Sequence, residues 1–277
     1  MKKNFMPYPA GLESFCKNID MCRKVVYGLT YREVTSYIGL PESTMITYDT
    51  KGVSPYITVA KQIADMYVTT IERLCGDEIY FDIEEVLNLQ INFINRIGGI
   101  PVKLYKEKLI NELVPFRMIS KYYVCKEISN TFRTMISDIH KFNKYVKIEK
   151  DTSIVNNISR NFHNLHENLK VSYRTILKVT GISIGSLTRI EQGYEPMLAP
   201  IIRLSEYFGI SLTEMLSENP EFDYEEIKKE IKHKKELKNI RQCVSPAKEK
   251  RQSKLNMDLL MNDEIEKYIT KWLNKID

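Results

Sequence analysis

Two dipeptides carry the first chemical signal in this chain: Tyr31-Arg32 and Tyr173-Arg174, each preceded by a hydroxyl residue, Thr30 or Ser172. A hydroxyl, a phenol and a guanidinium on consecutive residues supply donors of the kind that hold phosphate oxygens. Lys51 and Tyr56 downstream of the first pair, and Lys170 and Tyr194 flanking the second, add donors of the same type. Arg189 suits another task, because its planar fork can donate to two adjacent acceptors at once. Glu42 is an acceptor and complements an amino group. His163 and His166 stand one helical turn apart, but no Cys or acidic cluster in the sequence completes a four-ligand metal set. No Gly-rich phosphate loop, nucleophile elbow or H-E-x-x-H occurs, so we expect a binding protein that is not an enzyme and needs no metal or cofactor.

These residues lie in a repeat. The segment "LTYREVTSYIGLPESTMITYDTKG" (29–52) runs in register with "VSYRTILKVTGISIGSLTRIEQG" (171–193). Leu29 meets Val171, Thr30 meets Ser172, Val34 meets Ile176, Gly39 meets Gly181, Leu40 meets Ile182, Thr44 meets Ser186 and Asp49 meets Glu191. Thr30 and Ser172 read as N-caps, whose hydroxyls accept from an otherwise unpaired amide of the first turn. Val34, Ile38 and Ile176 give the following helix one apolar face. Gly39 and Gly181 end it, since a residue at positive φ is cheapest as Gly. Pro41 and Ser183 then open a second helix. That helix carries Glu42, Ser43 and Thr47 in the first copy, and Ile184, Gly185, Thr188 and Arg189 in the second. The first copy departs from the second by Asp49 in place of Glu and by one extra residue before Gly52.

The surrounding chain bounds the class. Its 277 residues suggest at least two domains, and 43% hydrophobic with 28% charged residues describes a globular, mainly helical protein. A net charge of +5 and a pI near 8.7 are compatible with a polyanionic partner without demanding one. The five cysteines are odd in number, scattered and lack a C-x-x-C pair, so free thiols and a reducing compartment are expected. No apolar leader or 18-residue apolar run is present, which predicts a cytoplasmic protein without membrane contact.

Both repeats resemble the lambda repressor/Cro-like (Xre-type) helix-turn-helix family. The resemblance rests on the matched caps and Gly turns, on Glu191-Gln192-Gly193 ending the second copy, and on "SPYITVAKQIADMYVTTIERL" and "APIIRLSEYFGISLTEMLSE" as fourth and fifth helices. It implies an all-α chain with two five-helix DNA-binding domains, at 1–78 and 151–218, and double-stranded DNA as partner. By the family's roles, Glu42, Ser43, Thr47, Ile184, Gly185, Thr188 and Arg189 face bases. Thr30, Tyr31, Arg32, Lys51 and Tyr56 then sit on phosphate, as do Lys170, Ser172, Tyr173, Arg174 and Tyr194, with Tyr194 as the counterpart of Tyr56. Arg189 could pair with guanine, Glu42 with the cytosine amine and Ile184 with a thymine methyl, while Gly185 allows close approach. Glu191 is expected to bond within the fold.

The family's function would be a sequence-specific transcriptional regulator, a repressor of bacterial, phage or mobile-element genes. The alternative is a protein-interaction scaffold, an antirepressor or antitoxin-like partner, which Ile184-Gly185 favours. Residues 79–150 read as a helical connector; within it 114–133 faintly matches the repeat with Val124 in place of the turn Gly, which leaves two readings, a linker helix with chance similarity, the weightier one, and a degenerate third helix-turn-helix. Residues 219–277 read as a charged helical extension whose last helix, with Leu259, Ile265, Ile269, Trp272 and Leu273 on one face, could dock on the chain itself or join a homodimer. The middle region is a second candidate dimer surface.

Overall fold

The computed structural model describes residues 9–76, 83–97, 104–105, 107–109, 118–141, 146–241 and 259–261. The architecture is all-α, and two sets of five helices repeat within it. The first set is α1 (Ala10–Met21), α2 (Tyr31–Ile38), α3 (Glu42–Lys51), α4 (Ile57–Met66) and α5 (Ile71–Cys75). After α6 (Ile83–Ile97) and α7 (Lys121–His140) comes the second: α8 (Ser153–Leu169), α9 (Tyr173–Thr180), α10 (Ile184–Glu191), α11 (Leu198–Phe208) and α12 (Leu212–Leu216). Helix α13 (Tyr224–Arg241) follows.

Local chemistry explains the boundaries. Thr30 and Glu33 form a reciprocal capping box at the start of α2, and Ser172 accepts from the Thr175 amide at the start of α9. Gly39 (φ 70°) and Gly181 (φ 71°) close those helices in the left-handed region. Ser183 caps α10, whereas Pro41 precedes α3 with no side-chain cap.

Polar side chains join the helices in the same way in both sets. Buried Asn18 of α1 donates to the Leu74 carbonyl at the end of α5, and buried Asn161 of α8 donates to the Met215 and Ser217 carbonyls at the end of α12. Gln62 of α4 donates to the last carbonyl of α2, Ile38, as Arg203 of α11 donates to the last carbonyl of α9, Thr180. Each removes an orphan acceptor that a helix C-terminus would otherwise bury.

The middle region packs on the first set. There α1 continues as a π-helical turn, Cys22–Val26, an added residue that the second set lacks. The turn leaves the Val26 carbonyl free to accept from Gln90 of α6 and from Ser129 of α7. Tyr27, fully buried, stacks on Tyr67 and packs with Phe93 and Phe132, which carries α6 and α7 into the same core. Helix α13 lies on the second set through buried Ile227 and Ile231.

Val124 is buried inside α7, which runs uninterrupted through Lys121–His140; without a Gly at that position the helix continues, so the described part of 114–133 holds one helix and no turn. One expectation needs correction. Leu259–Met261 is not helical but forms strand β2, paired antiparallel with β1 (Met118–Ser120). The rest of the expected terminal helix, Ile265, Ile269, Trp272 and Leu273 included, lies outside the described residues, as does Cys243. Cys16, Cys22, Cys75 and Cys125 are free thiols, and burial pushes the first up to about 11 and the next two to about 12. Among the described residues, no helix is long and apolar enough to cross a membrane.

Gly28 is the tightest joint in this packing. Its φ is +61°, and a Cβ there would lie 2.8 Å from the Ser129 carbonyl of α7. Gly28→Ala is therefore expected to destabilise the chain by about 1 to 3 kcal/mol, read as a lower urea midpoint, whereas Gly185→Ala, in open space, should cost far less.

Candidate nucleic-acid interface

Each candidate reading helix, α3 or α10, is held by an arginine or histidine, an acid and a tyrosine. In the first set Arg23 lies over the Tyr31 ring at 3.9 Å and pairs with Asp20 (2.5 Å) and Asp49 (3.4 Å), while the Tyr31 hydroxyl donates to Asp49. In the second set His166 stacks on Tyr173 with ring centroids 4.5 Å apart, and its Nδ1 lies 3.5 Å from Glu191, which His163 also contacts at 2.8 Å. Position for position, His166 replaces Arg23, His163 replaces Asp20 and Glu191 replaces Asp49. The acid ties the end of the reading helix to the first helix of its set.

Burial raises the Asp49 carboxyl above its usual range, against the pull of Tyr31 and Arg23, and burial with the Asp49 bond pushes the Tyr31 hydroxyl up to about 12. Sequence reasoning placed Tyr31 and Tyr173 on phosphate; both are half-buried, one bonded to Asp49 and the other in a three-ring cluster with Phe162 and His166. Glu191 bonds within the fold as expected, though to histidine rather than arginine. Arg23, Asp20 and the two asparagines were missed; aligning α1 with α8 would have revealed them.

The remaining candidates divide by exposure. Glu42, Ser43 and Lys51 on α3, and Ile184, Gly185 and Arg189 on α10, are exposed, whereas Thr47 and Thr188 are half-buried. Thr47 donates to the Ser43 carbonyl one turn back. Arg32, Lys170, Ser172 and Arg174 are exposed and Thr30 half-buried, with the Thr30 and Ser172 hydroxyls engaged as caps. Arg189 reaches across its helix end to sit 5.0 Å from the Tyr194 ring, so the guanidinium is held over an aromatic face while still exposed.

Just beyond the reading helices the two sets join. The Ile57 amide donates to the Pro196 carbonyl (3.0 Å), and the Leu198 amide donates to the Pro55 carbonyl (2.8 Å). Tyr56 and Met197 form the isolated antiparallel bridge between these bonds. The next pair repeats the exchange: the Ala199 amide donates to Ser54 Oγ (2.9 Å) and the Thr58 amide to Glu195 Oε1 (3.3 Å).

Pro55 and Pro196, Tyr56 and Met197, and Ile57 and Leu198 hold equivalent places in the repeat. Reciprocal bonds between equivalent residues mean that the sets are related by an approximate two-fold axis. A second point on that axis is the bond from Thr213 to Glu72, again at equivalent places. Helix α1 packs on α11 as α8 packs on α4.

This pairing corrects one expected counterpart. Tyr56 corresponds to Met197, and Tyr194 to Val53, because the alignment resumes at the positive-φ glycines Gly52 and Gly193. All four side chains are exposed, between 38% and 54%, with Tyr56 and Met197 paired at the bridge and Val53 and Tyr194 three residues before them in each set. That is apolar and aromatic surface which the fold leaves uncovered.

The two pairs, Arg23 with Asp49 and His166 with Glu191, differ in depth. The Arg23 and Asp49 side chains are 9% and 7% exposed, the His166 and Glu191 side chains 21% each. Arg23→Leu, which strands a buried carboxylate, is expected to cost about 3 to 5 kcal/mol, and His166→Leu about 1 kcal/mol, in chemical denaturation at neutral pH. Comparison of the chain with protein-family models, curated proteins and solved structures finds no match.

Proposed function

We propose that this chain is a sequence-specific double-stranded DNA-binding regulator of transcription, built from two lambda-repressor-like (Xre-type) domains, and that it represses by occupying its site. The single observation that carries this reading is the junction at Pro55–Ile57 and Pro196–Leu198. It relates α3 and α10 by an approximate two-fold axis and leaves the first residues of both helices, Glu42-Ser43 and Ile184-Gly185, exposed. Duplex DNA has local two-fold axes of its own, so a protein with such an axis can present two helices to one face of the duplex in equivalent ways.

The chemistry divides as it does in sequence-reading proteins. Arg189, held over Tyr194, is a bidentate donor suited to guanine O6 and N7, and Glu42 is an acceptor suited to the cytosine amine. Arg32, Arg174, Lys51 and Lys170 are exposed cations placed at helix starts and ends, where they would meet phosphate. Exposed Ile184 supports a second reading, in which α10 meets an apolar protein surface.

A shift assay on a pool of genomic fragments, at several salt concentrations, tests the proposal. The intact chain should enrich particular fragments with log affinity falling linearly in log salt. Arg189→Ala should lose about 1 to 3 kcal/mol on the enriched fragments alone, whereas Arg32→Ala should weaken all fragments alike and reduce the salt slope by about one. No enrichment at any salt would reject DNA reading and leave the protein-partner assignment.

A further inference from the structure

We infer that one copy of this chain reads two unlike half-sites set in inverted orientation, acting as its own dimer. The inference rests on the proposed DNA-binding function and goes beyond it, because tandem binding modules in one chain carry no inherent orientation. Joined by a loose tether they would accept direct repeats, inverted repeats or variable spacing. Here the orientation is built in.

Two separate places define the axis. At one, backbone amides of Ile57 and Leu198 donate reciprocally across Tyr56 and Met197; at the other, Thr213 bonds Glu72. Two points fix a line, so α3 and α10 are neither parallel copies nor free to turn about a single contact.

The junction is also buried. Ser54, Pro55, Ile57 and Thr58 on one side and Pro196, Leu198 and Ala199 on the other are buried, so the backbone bonds are shielded from water. Helices α6 and α7 enter the core of the first set beside Tyr27. A two-fold arrangement of reading helices demands inverted half-sites, with centres about one helical turn, or 10 base pairs, apart.

The halves must nevertheless differ. By position Glu42 corresponds to Ile184, Ser43 to Gly185, Ile46 to Thr188 and Thr47 to Arg189, so an acceptor-bearing helix faces one half and a guanidinium-bearing helix the other. A homodimer cannot make this distinction within one site, since both of its halves carry the same side chains.

Selection from a duplex pool with about 30 randomised base pairs, roughly three helical turns, followed by sedimentation of the complex, tests the inference with the full chain. The expected result is one chain per duplex on a two-part site, and at least a ten-fold loss of affinity when about five base pairs, half a turn, are inserted between the parts. The variant Glu42→Ile, Ser43→Gly, Ile46→Thr, Thr47→Arg gives α3 the outward residues of α10. Its selected site should become a palindrome. If it selects a direct repeat, or if the unaltered chain tolerates the insertion or needs two copies per site, the inference is overturned while DNA reading stands. If no sequence is selected, both fall. The spacing and stoichiometry arms use the unaltered chain and decide the matter even if the variant does not fold.

Discussion

Four backbone amides bonded across the junction near Tyr56 and Met197 are central to the arrangement of this molecule. The amides of Ile57, Thr58, Leu198 and Ala199 all begin helices, where a backbone donor has no partner within its own helix. Here each is satisfied by the other set: by a proline carbonyl, by Ser54 Oγ or by Glu195. Neither Tyr56 nor Met197 caps its helix with a side chain. The N-termini of α4 and α11 therefore depend on each other, and separating the sets would expose donors that the chain itself does not cap. This dependence gives the two-fold relation its rigidity, and it leaves Val53, Tyr56, Tyr194 and Met197 exposed.

Within each set the same logic is solved by different residues. A nitrogen-bearing side chain, Arg23 or His166, at the end of the first helix reaches the acid at the end of the third and lies on the tyrosine that opens the second. Arg and Asp do this in the first set, His and Glu in the second. The first set is the more enclosed: α6 and α7 pack on it, and Arg23, within the π-helical turn, is buried. An always-charged guanidinium with five donors suits a buried acid with several neighbours. The second set, which lacks that cover, leaves His163 exposed and His166 half-buried.

The middle region is thus a structural partner of the first set. Tyr27 links α1, α4, α6 and α7 through aromatic contacts and a bond to the Tyr67 carbonyl, and Gly28 permits the close approach of α7. The pair β1–β2 brings Leu259–Met261 beside Met118–Ser120, so a segment that follows α13 in sequence returns to the middle region. Its residues alternate poorly and include two leucines and a methionine, which is why a helix was the natural reading.

The sequence by itself determined the repeat and its punctuation. Thr30, Ser172, Ser183, Gly39 and Gly181 act on their immediate neighbours, and local rules for caps and left-handed residues suffice to place them. The all-α character and the short helices α3 and α10 follow from the same local signals. Val124 shows the limit: a weak resemblance to the other repeats lacked the Gly that makes a turn, and the helix ran through it. What only the tertiary structure decided was how the sets meet. The pairing of Pro55–Ile57 with Pro196–Leu198 joins residues about 140 positions apart through backbone groups that every residue shares, so no residue type announces it. The roles of Tyr31 and Tyr173 were hidden for the same reason, since a phenol suits phosphate and a buried carboxylate equally well, and only the three-dimensional neighbours, Asp49 in one case and His166 in the other, show which partner the fold supplies.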